Sequence, residues 1–267
     1  MRRVLIALSS VALIGVACGG GEQGTDTPSA SPSAQASAPA EPTSRFPTYD
    51  RAELLSMSRP VSVQGAGGVR LEGRLFGSGE VGVALAHMGG DGDQSQWMEF
   101  AGLLADEGYL VLTYNRRGSC PGGDLGCSTG TETGSWRDLP SLVDLLREEG
   151  AQRVVVGGAS LGAMESLYAL SRGLEADGLV WVAGVDLYQG VPVAEQVRGL
   201  RVPKLFISGE ADFDAASVLP ELEQEAPPPS EAILLQTGEH GTDILAFGDV
   251  EVADEFRRTV LDFLAGI

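Results

Sequence analysis

From about residue 59 onward the chain repeats one pattern. A short apolar run is followed by a glycine or proline break, then by a longer stretch with apolar residues every third or fourth position. The short runs at 59–64, 69–76, 81–86, 109–114, 153–156, 178–185, 204–208 and 232–235 predict strands. The longer stretches at 95–107, 136–149, 161–171, 216–225 and 251–264 predict helices, with 186–200 a short connection that is helical in part. Trp97, Phe100, Leu103 and Leu104 share one helical stripe, as do Leu139, Leu142, Val143 and Leu146, and Phe256, Val260, Phe263 and Leu264. Gly108 and Gly150 stop two of these helices, and Gly65-Ala66-Gly67-Gly68 turns the first two strands into a hairpin. Strands that are apolar throughout, alternating with amphipathic helices, imply a mostly parallel sheet of about eight strands with helices on both faces. Ligands of such sheets bind at the carboxyl ends of the strands.

The stretch from Arg153 to Met164 carries the most chemistry. Val154, Val155 and Val156 are β-branched and suit a buried strand; Gly157-Gly158-Ala159-Ser160-Leu161-Gly162 follows, and then a helix rich in Ala and Leu. A serine at a sharp strand-to-helix turn is the setting in which G-x-S-x-G has meaning, because a strained turn needs small neighbours on both sides. The same string recurs around Ser128, between Gly126 and Gly130, but in a loop with no strand before it and no helix directly after. Context favours Ser160.

The front of the chain differs in kind. Arg2 and Arg3 precede an apolar core from Val4 to Val16, then Ala17 and Cys18, which reads as an export signal over 1–17 that is too short to span a membrane. A cysteine directly after such a core resembles the lipobox of bacterial lipoproteins, with Gly15 where leucine is usual; the resemblance implies an acylated Cys18 as mature N-terminus. Residues 18–48 are Gly, Ser, Ala, Thr and Pro with little to bury, and read as a tether ahead of one domain over 49–267. The formal charge of −19, about −21 without the signal, argues against nucleic acid or an anionic surface as partner. Cys120 and Cys127 bracket a short loop, and export makes a disulfide the expected state; no histidine or further cysteine lies near enough in sequence to suggest a metal.

A serine hydroxyl needs a base, and the chain has two histidines: His87 after an early strand and His240 after the last. Asp212, in Gly209-Glu210-Ala211-Asp212, follows the penultimate strand. The order Ser160, Asp212, His240 after those strands resembles the α/β-hydrolase superfamily over about residues 60–265. The resemblance implies an α/β-hydrolase fold with Ser160 as nucleophile, His240 as base and Asp212 as its orienting acid, with Asp214 and Asp243 as rivals. It also implies an oxyanion hole formed by the amide of Leu161 and one from His87-Met88-Gly89-Gly90, either Gly89 (favoured) or Met88, with His87 supporting that loop. Asn115-Arg116-Arg117-Gly118 resembles a segment that is commonly structural in the family. No cofactor is called for. The connection at 186–202 leaves room for only a minimal lid, so the site is expected to be open and edged by Tyr188, Met88, Trp97 and the cysteine loop.

The leading expectation is a monomeric, lipid-anchored, extracytoplasmic carboxylesterase acting on short esters or exposed polymer ends. A dienelactone-hydrolase-like or peptidase-like relative, or a non-catalytic binding lipoprotein on the same fold, are the alternatives. Cys18→Ala is expected to move the protein from the membrane to the soluble fraction with its folding unchanged; identical detergent partitioning of variant and wild type would count against lipidation.

Overall fold

The computed structural model describes residues 42–267; the expected signal, Cys18 and most of the tether lie outside them. In chain order, α1 (Arg51–Ser56) leads into β1 (Ser58–Gln64), β2 (Arg70–Phe76) and β3 (Val81–Ala86). Then come α2 (Ser95–Asp106), β4 (Leu110–Tyr114), α3 (Leu139–Glu148), β5 (Arg153–Ala159), α4 (Leu161–Ser171) and β6 (Gly178–Val182). A small hairpin of β7 (Leu187–Tyr188) and β8 (Val191–Pro192) precedes α5 (Val193–Val197) and β9 (Lys204–Gly209). The chain closes with α6 (Phe213–Ala216), α7 (Leu219–Glu225), β10 (Ser230–Leu235), α8 (Asp243–Ala246) and α9 (Val250–Ala265).

Eight strands form one sheet in the order β1-β2-β4-β3-β5-β6-β9-β10. The first two pairings, β1 with β2 and β2 with β4, are antiparallel; all the others are parallel. The expected hairpin is present, and its turn uses Gly67 and Gly68 at φ 71° and 79°, where a side chain would be strained.

The valines of β5 explain the layering. Successive side chains on a strand point to opposite faces. Val154 and Val156 accordingly join Leu142, Leu146, Leu167, Val197 and Leu222 on one face, while Val155 joins Trp97, Phe100, Leu104, Phe256 and Val260 on the other. An apolar run without alternation is what burial on both faces requires. The predicted inward stripes of α2 and α3 are buried in full; on α9, Phe256, Val260 and Leu264 are buried, while Phe263 packs at the margin.

Several details differ from expectation. β6 ends at Val182, not 185, because Ala183, whose amide makes the last bond to β9 at Ile207 O (2.8 Å), turns to φ 49° and carries the chain out of the sheet. The connection at 186–200 holds the small hairpin as well as a helix. Trp97 does not edge a site: it is fully buried, and its indole N–H donates to Ala86 O at 2.8 Å.

The chain is also fixed to the domain ahead of residue 49. Ser44 Oγ donates to Asp254 Oδ1 at 2.6 Å and the Arg45 amide to Oδ2 at 2.8 Å, while Phe46 and Tyr49 pack on the α2/α9 core. Burial alone would raise the Asp254 carboxyl; these donors and Arg257 hold it below its usual range. Asp254→Ala is expected to cost about 1–2 kcal/mol, since it removes two hydrogen bonds to a charged acceptor whose donors, the Ser44 hydroxyl and the Arg45 amide, are only partly shielded from water. An unchanged urea midpoint would show that the 44–48 segment is not held through this residue.

Candidate active site

Ser160 sits where β5 ends and α4 begins, with φ 51° and ψ −118°. Positive φ is uncommon for a residue with a side chain, and here the surroundings impose it. The Ser160 amide donates to Val182 O at 2.8 Å, tying the turn to β6. A Cβ at Gly158 would stand 2.6 Å from Ala86 O, and one at Gly162 would stand 2.7 Å from Ala86 Cβ and from His87 O. The turn therefore closes directly against the end of β3, and only glycine fits on either side of the serine.

The same closeness brings the loop after β3 to the serine. A Cβ on Gly89 would lie 3.3 Å from Leu161 Cδ2, so Gly89 rests on the first residue of α4. The Met88 amide donates to Gln96 Oε1 at 3.0 Å and is therefore taken; among the described residues no such partner engages the Gly89 amide. Leu161, in the first turn of α4, has an amide with no intrahelical acceptor, at the end of the helix where partial positive charge accumulates.

His240 and Asp212 meet because their strands are paired. Beyond the parallel β9–β10 ladder, Glu210 N donates to Leu235 O at 2.8 Å and Ala211 N to Thr237 O at 2.9 Å, so the two loops leave the sheet together. Asp212 Oδ2 then accepts from His240 Nδ1 at 2.7 Å, which leaves Nε2 of a neutral ring as a free base. Of the three candidate acids, only Asp212 is hydrogen-bonded to this ring. The His240 side chain is 38% exposed and that of Asp212 12%. Ser160 Oγ and the imidazole are not hydrogen-bonded in this structure. The two segments abut through Gly241, where a Cβ would lie 3.2 Å from Ala159 Cβ and against the Met88 sulfur. Gly241 is at φ 59°, a second reason for glycine there.

His87 has the opposite environment. It is 1% exposed; its Nε2 accepts from the Arg116 amide at 3.0 Å, so its Nδ1 carries the proton and donates to Met88 O at 2.6 Å. Burial first, and the Arg116 charge second, push its pKa down to about 4, against the pull of Met88 O and Asp93. It is a neutral brace for the loop.

Ser128 is also structural: its hydroxyl donates to Asn115 O at 2.8 Å and accepts from the Glu72 amide at 2.9 Å. Cys120 and Cys127 are joined in a disulfide, and Ser119 beside it donates to Gly92 O at 3.0 Å, fastening the cysteine loop to the segment after Gly89. Tyr188 stacks edge-on against Tyr168 at 5.3 Å; Phe213, which opens α6 directly after Asp212, and Phe247, at the end of α8, are 82% and 74% exposed. A cavity of about 290 Å³ lies beside the His87 loop, lined in part by Gly90, Arg116, Thr131 and Glu132. The pairing of Arg116 with Glu165 at 2.9 Å has no local signal in the sequence.

A family model described as "Alpha/beta hydrolase family" matches residues 83–264. No curated protein matches the sequence. Among solved structures, an esterase of Pyrococcus furiosus is similar with a TM-score of 0.64 at 19% identity, over 84% of this chain and 97% of that one. An esterase from Exiguobacterium antarcticum gives 0.61 at 14%, over 78% and 100%. A bromoperoxidase from Bacillus anthracis gives 0.60 at 18%, over 78% and 100%. At such identities the likeness is one of fold.

The environment of His87 sets a pH signature for stability. Unfolded, this histidine takes up a proton near pH 6.5; folded, it does so only near 4. Its contribution is fully present above pH ~6.5 and is lost progressively as pH falls toward 4. Between pH 7 and 5 the wild type is expected to lose about 2 kcal/mol more than His87→Gln. Urea midpoints at the two pH values measure this; equal losses would refute it.

Proposed function

Because the chain belongs to the alpha/beta hydrolase family, we propose that it is a serine hydrolase cleaving carboxylic esters through an acyl-enzyme intermediate. The single observation that carries this reading is the Asp212–His240 hydrogen bond between the loops after β9 and β10, next to Gly241, which packs against Ala159 beside the strained turn at Ser160.

In the proposed reaction Ser160 Oγ attacks the ester carbonyl carbon as His240 Nε2 takes its proton, and Asp212 stabilises the imidazolium. The carbonyl oxygen becomes an oxyanion that accepts from the Leu161 and Gly89 amides. The tetrahedral species collapses, the C–O bond to the alcohol breaks, and His240 protonates the departing oxygen. Water then repeats the sequence on the acyl-serine, releasing the acid and restoring Ser160. Gly89 is the second donor because the Met88 amide is already bonded to Gln96.

Half-exposed Ser160 and His240, with only a small hairpin and α5 between β6 and β9, support substrates with short or exposed acyl groups. The strongly acidic chain favours neutral esters over anionic ones. Two of the similar structures are esterases. We further assign the protein to the extracytoplasmic face of a membrane, anchored through Cys18.

A fluorophosphonate probe is expected to label Ser160 and to leave Ser128 untouched, and p-nitrophenyl esters of short chain are expected to be hydrolysed. Ser160→Ala or His240→Ala is expected to lower kcat by roughly 10⁴ to 10⁶, and Asp212→Asn by somewhat less, with the fold retained. A wild-type protein that neither labels nor hydrolyses any short ester would favour the non-catalytic binding reading; labelling at Ser128 would overturn the site.

A further inference from the structure

Arg116 is a fully buried guanidinium that takes no part in the proposed reaction, and one of its contacts reaches the peptide unit between Met88 and Gly89. Its Nη2 donates to Met88 O at 3.2 Å, alongside the bond from His87 Nδ1 to the same oxygen. Its own position is fixed from two sides: Nη1 donates to Glu165 Oε1 at 2.9 Å and Nη2 to Glu132 Oε1 at 2.5 Å. Arg116 and Glu165 are each 1% exposed, and Ser135 Oγ gives Glu165 a further short hydrogen bond.

The Met88 carbonyl and the Gly89 amide belong to one planar trans peptide, so they point in opposite directions and turn together. Fixing the oxygen therefore fixes the direction of the Gly89 N–H. Glu165 lies on α4, five positions beyond Ser160, in the helix whose first turn presents the Leu161 amide. The ion pair thus ties one donor-bearing loop to the helix that bears both the nucleophile and the other donor.

Stability does not explain this pair. Burying two charges costs desolvation that their attraction offsets only with good geometry, and apolar replacement is often neutral or better. Arg116 Nε is moreover buried without an acceptor among the described residues. What an apolar pair could not do is donate to Met88 O.

We infer that Arg116 is a positioning residue for the oxyanion hole, aiming the Gly89 amide through the Met88 carbonyl and holding it in register with Leu161. This rests on the proposed serine-hydrolase reading, and the test separates the two. Wild type, Arg116→Met, Arg116→Lys and the double variant Arg116→Met/Glu165→Leu are compared. The double variant removes the orphaned carboxylate along with its partner, and so remains informative if Arg116→Met alone fails to fold. Fluorophosphonate titration counts competent Ser160, steady-state kinetics with p-nitrophenyl acetate separate kcat from KM, and a trifluoromethyl ketone, which forms a tetrahedral oxyanion on the serine, reports on the hole itself.

The double variant is expected to melt near wild type and to titrate fully. Its kcat should nevertheless fall about 10- to 100-fold, less than the loss of an entire donor, with KM changed by less than about 3-fold and ketone affinity falling in parallel with kcat. Arg116→Lys, which keeps a donor, should recover part of both. A double variant with wild-type kcat and ketone affinity, or a defect that simply follows melting temperature, would overturn the inference. Absence of any labelling in wild type would instead remove the reading beneath it.

Discussion

One turn of strained backbone sets the geometry of this molecule. Ser160 at φ 51° is a conformation that costs on the order of 1–3 kcal/mol and persists only where its surroundings leave no alternative. The surroundings are the β3–β5 ladder, which aligns Ala86 with Gly158, and the Ser160–Val182 hydrogen bond to β6. Three buried valines on β5 hold that strand in place on both faces of the sheet. Because Gly158 and Gly162 pack on Ala86, the segment that follows β3 has to start beside the serine. The position of the His87–Gly90 loop is therefore a consequence of how the turn closes.

The two histidines show how burial divides labour within one residue type. His87 lies among groups that each take one of its nitrogens, and the adjacent Arg116 charge disfavours a proton on it. It can only brace. His240 has its carboxylate partner on one nitrogen, and 38% of its side chain is exposed, so the other nitrogen is available. Nothing in either side chain distinguishes them; the strand each follows does.

What was legible in the sequence is what depends on short-range pattern. All eight strands of the sheet and the inward stripes of α2 and α3 follow from apolar periodicity, since burying those faces is what forms the elements. The approach of Asp212 to His240 follows from strand order once the sheet is parallel. Short elements escaped, although α1 carries a capping box between Asp50 and Glu53 that could have announced it. For Trp97 the inward stripe and the expected edge of the site conflict, and the stripe prevails, because an indole whose N–H finds a backbone carbonyl can be buried whole. Ser44 with Asp254 and Arg116 with Glu165 could not be read at all. Their partners lie 210 and 49 residues apart, and a charged residue in a linear pattern looks the same whether it faces solvent or a buried partner.

The acidity of the chain raises a question that the site's construction answers. A protein of net charge −19 is a poor setting in which to develop a further negative charge on a substrate oxygen. Exposed carboxylates, however, are screened within about 8–10 Å at ordinary ionic strength, whereas amides in contact with the oxygen are not. In the proposed reaction, backbone donors at a helix start and in a braced loop would provide that contact without adding a cation to the surface. Arg116 is paired with Glu165 and Glu132, so the influence inferred for it on an oxyanion would act through the direction of a peptide plane and not through its charge. The proposed chemistry therefore depends on aim, and aim depends on how tightly the loop after β3 is held against α4.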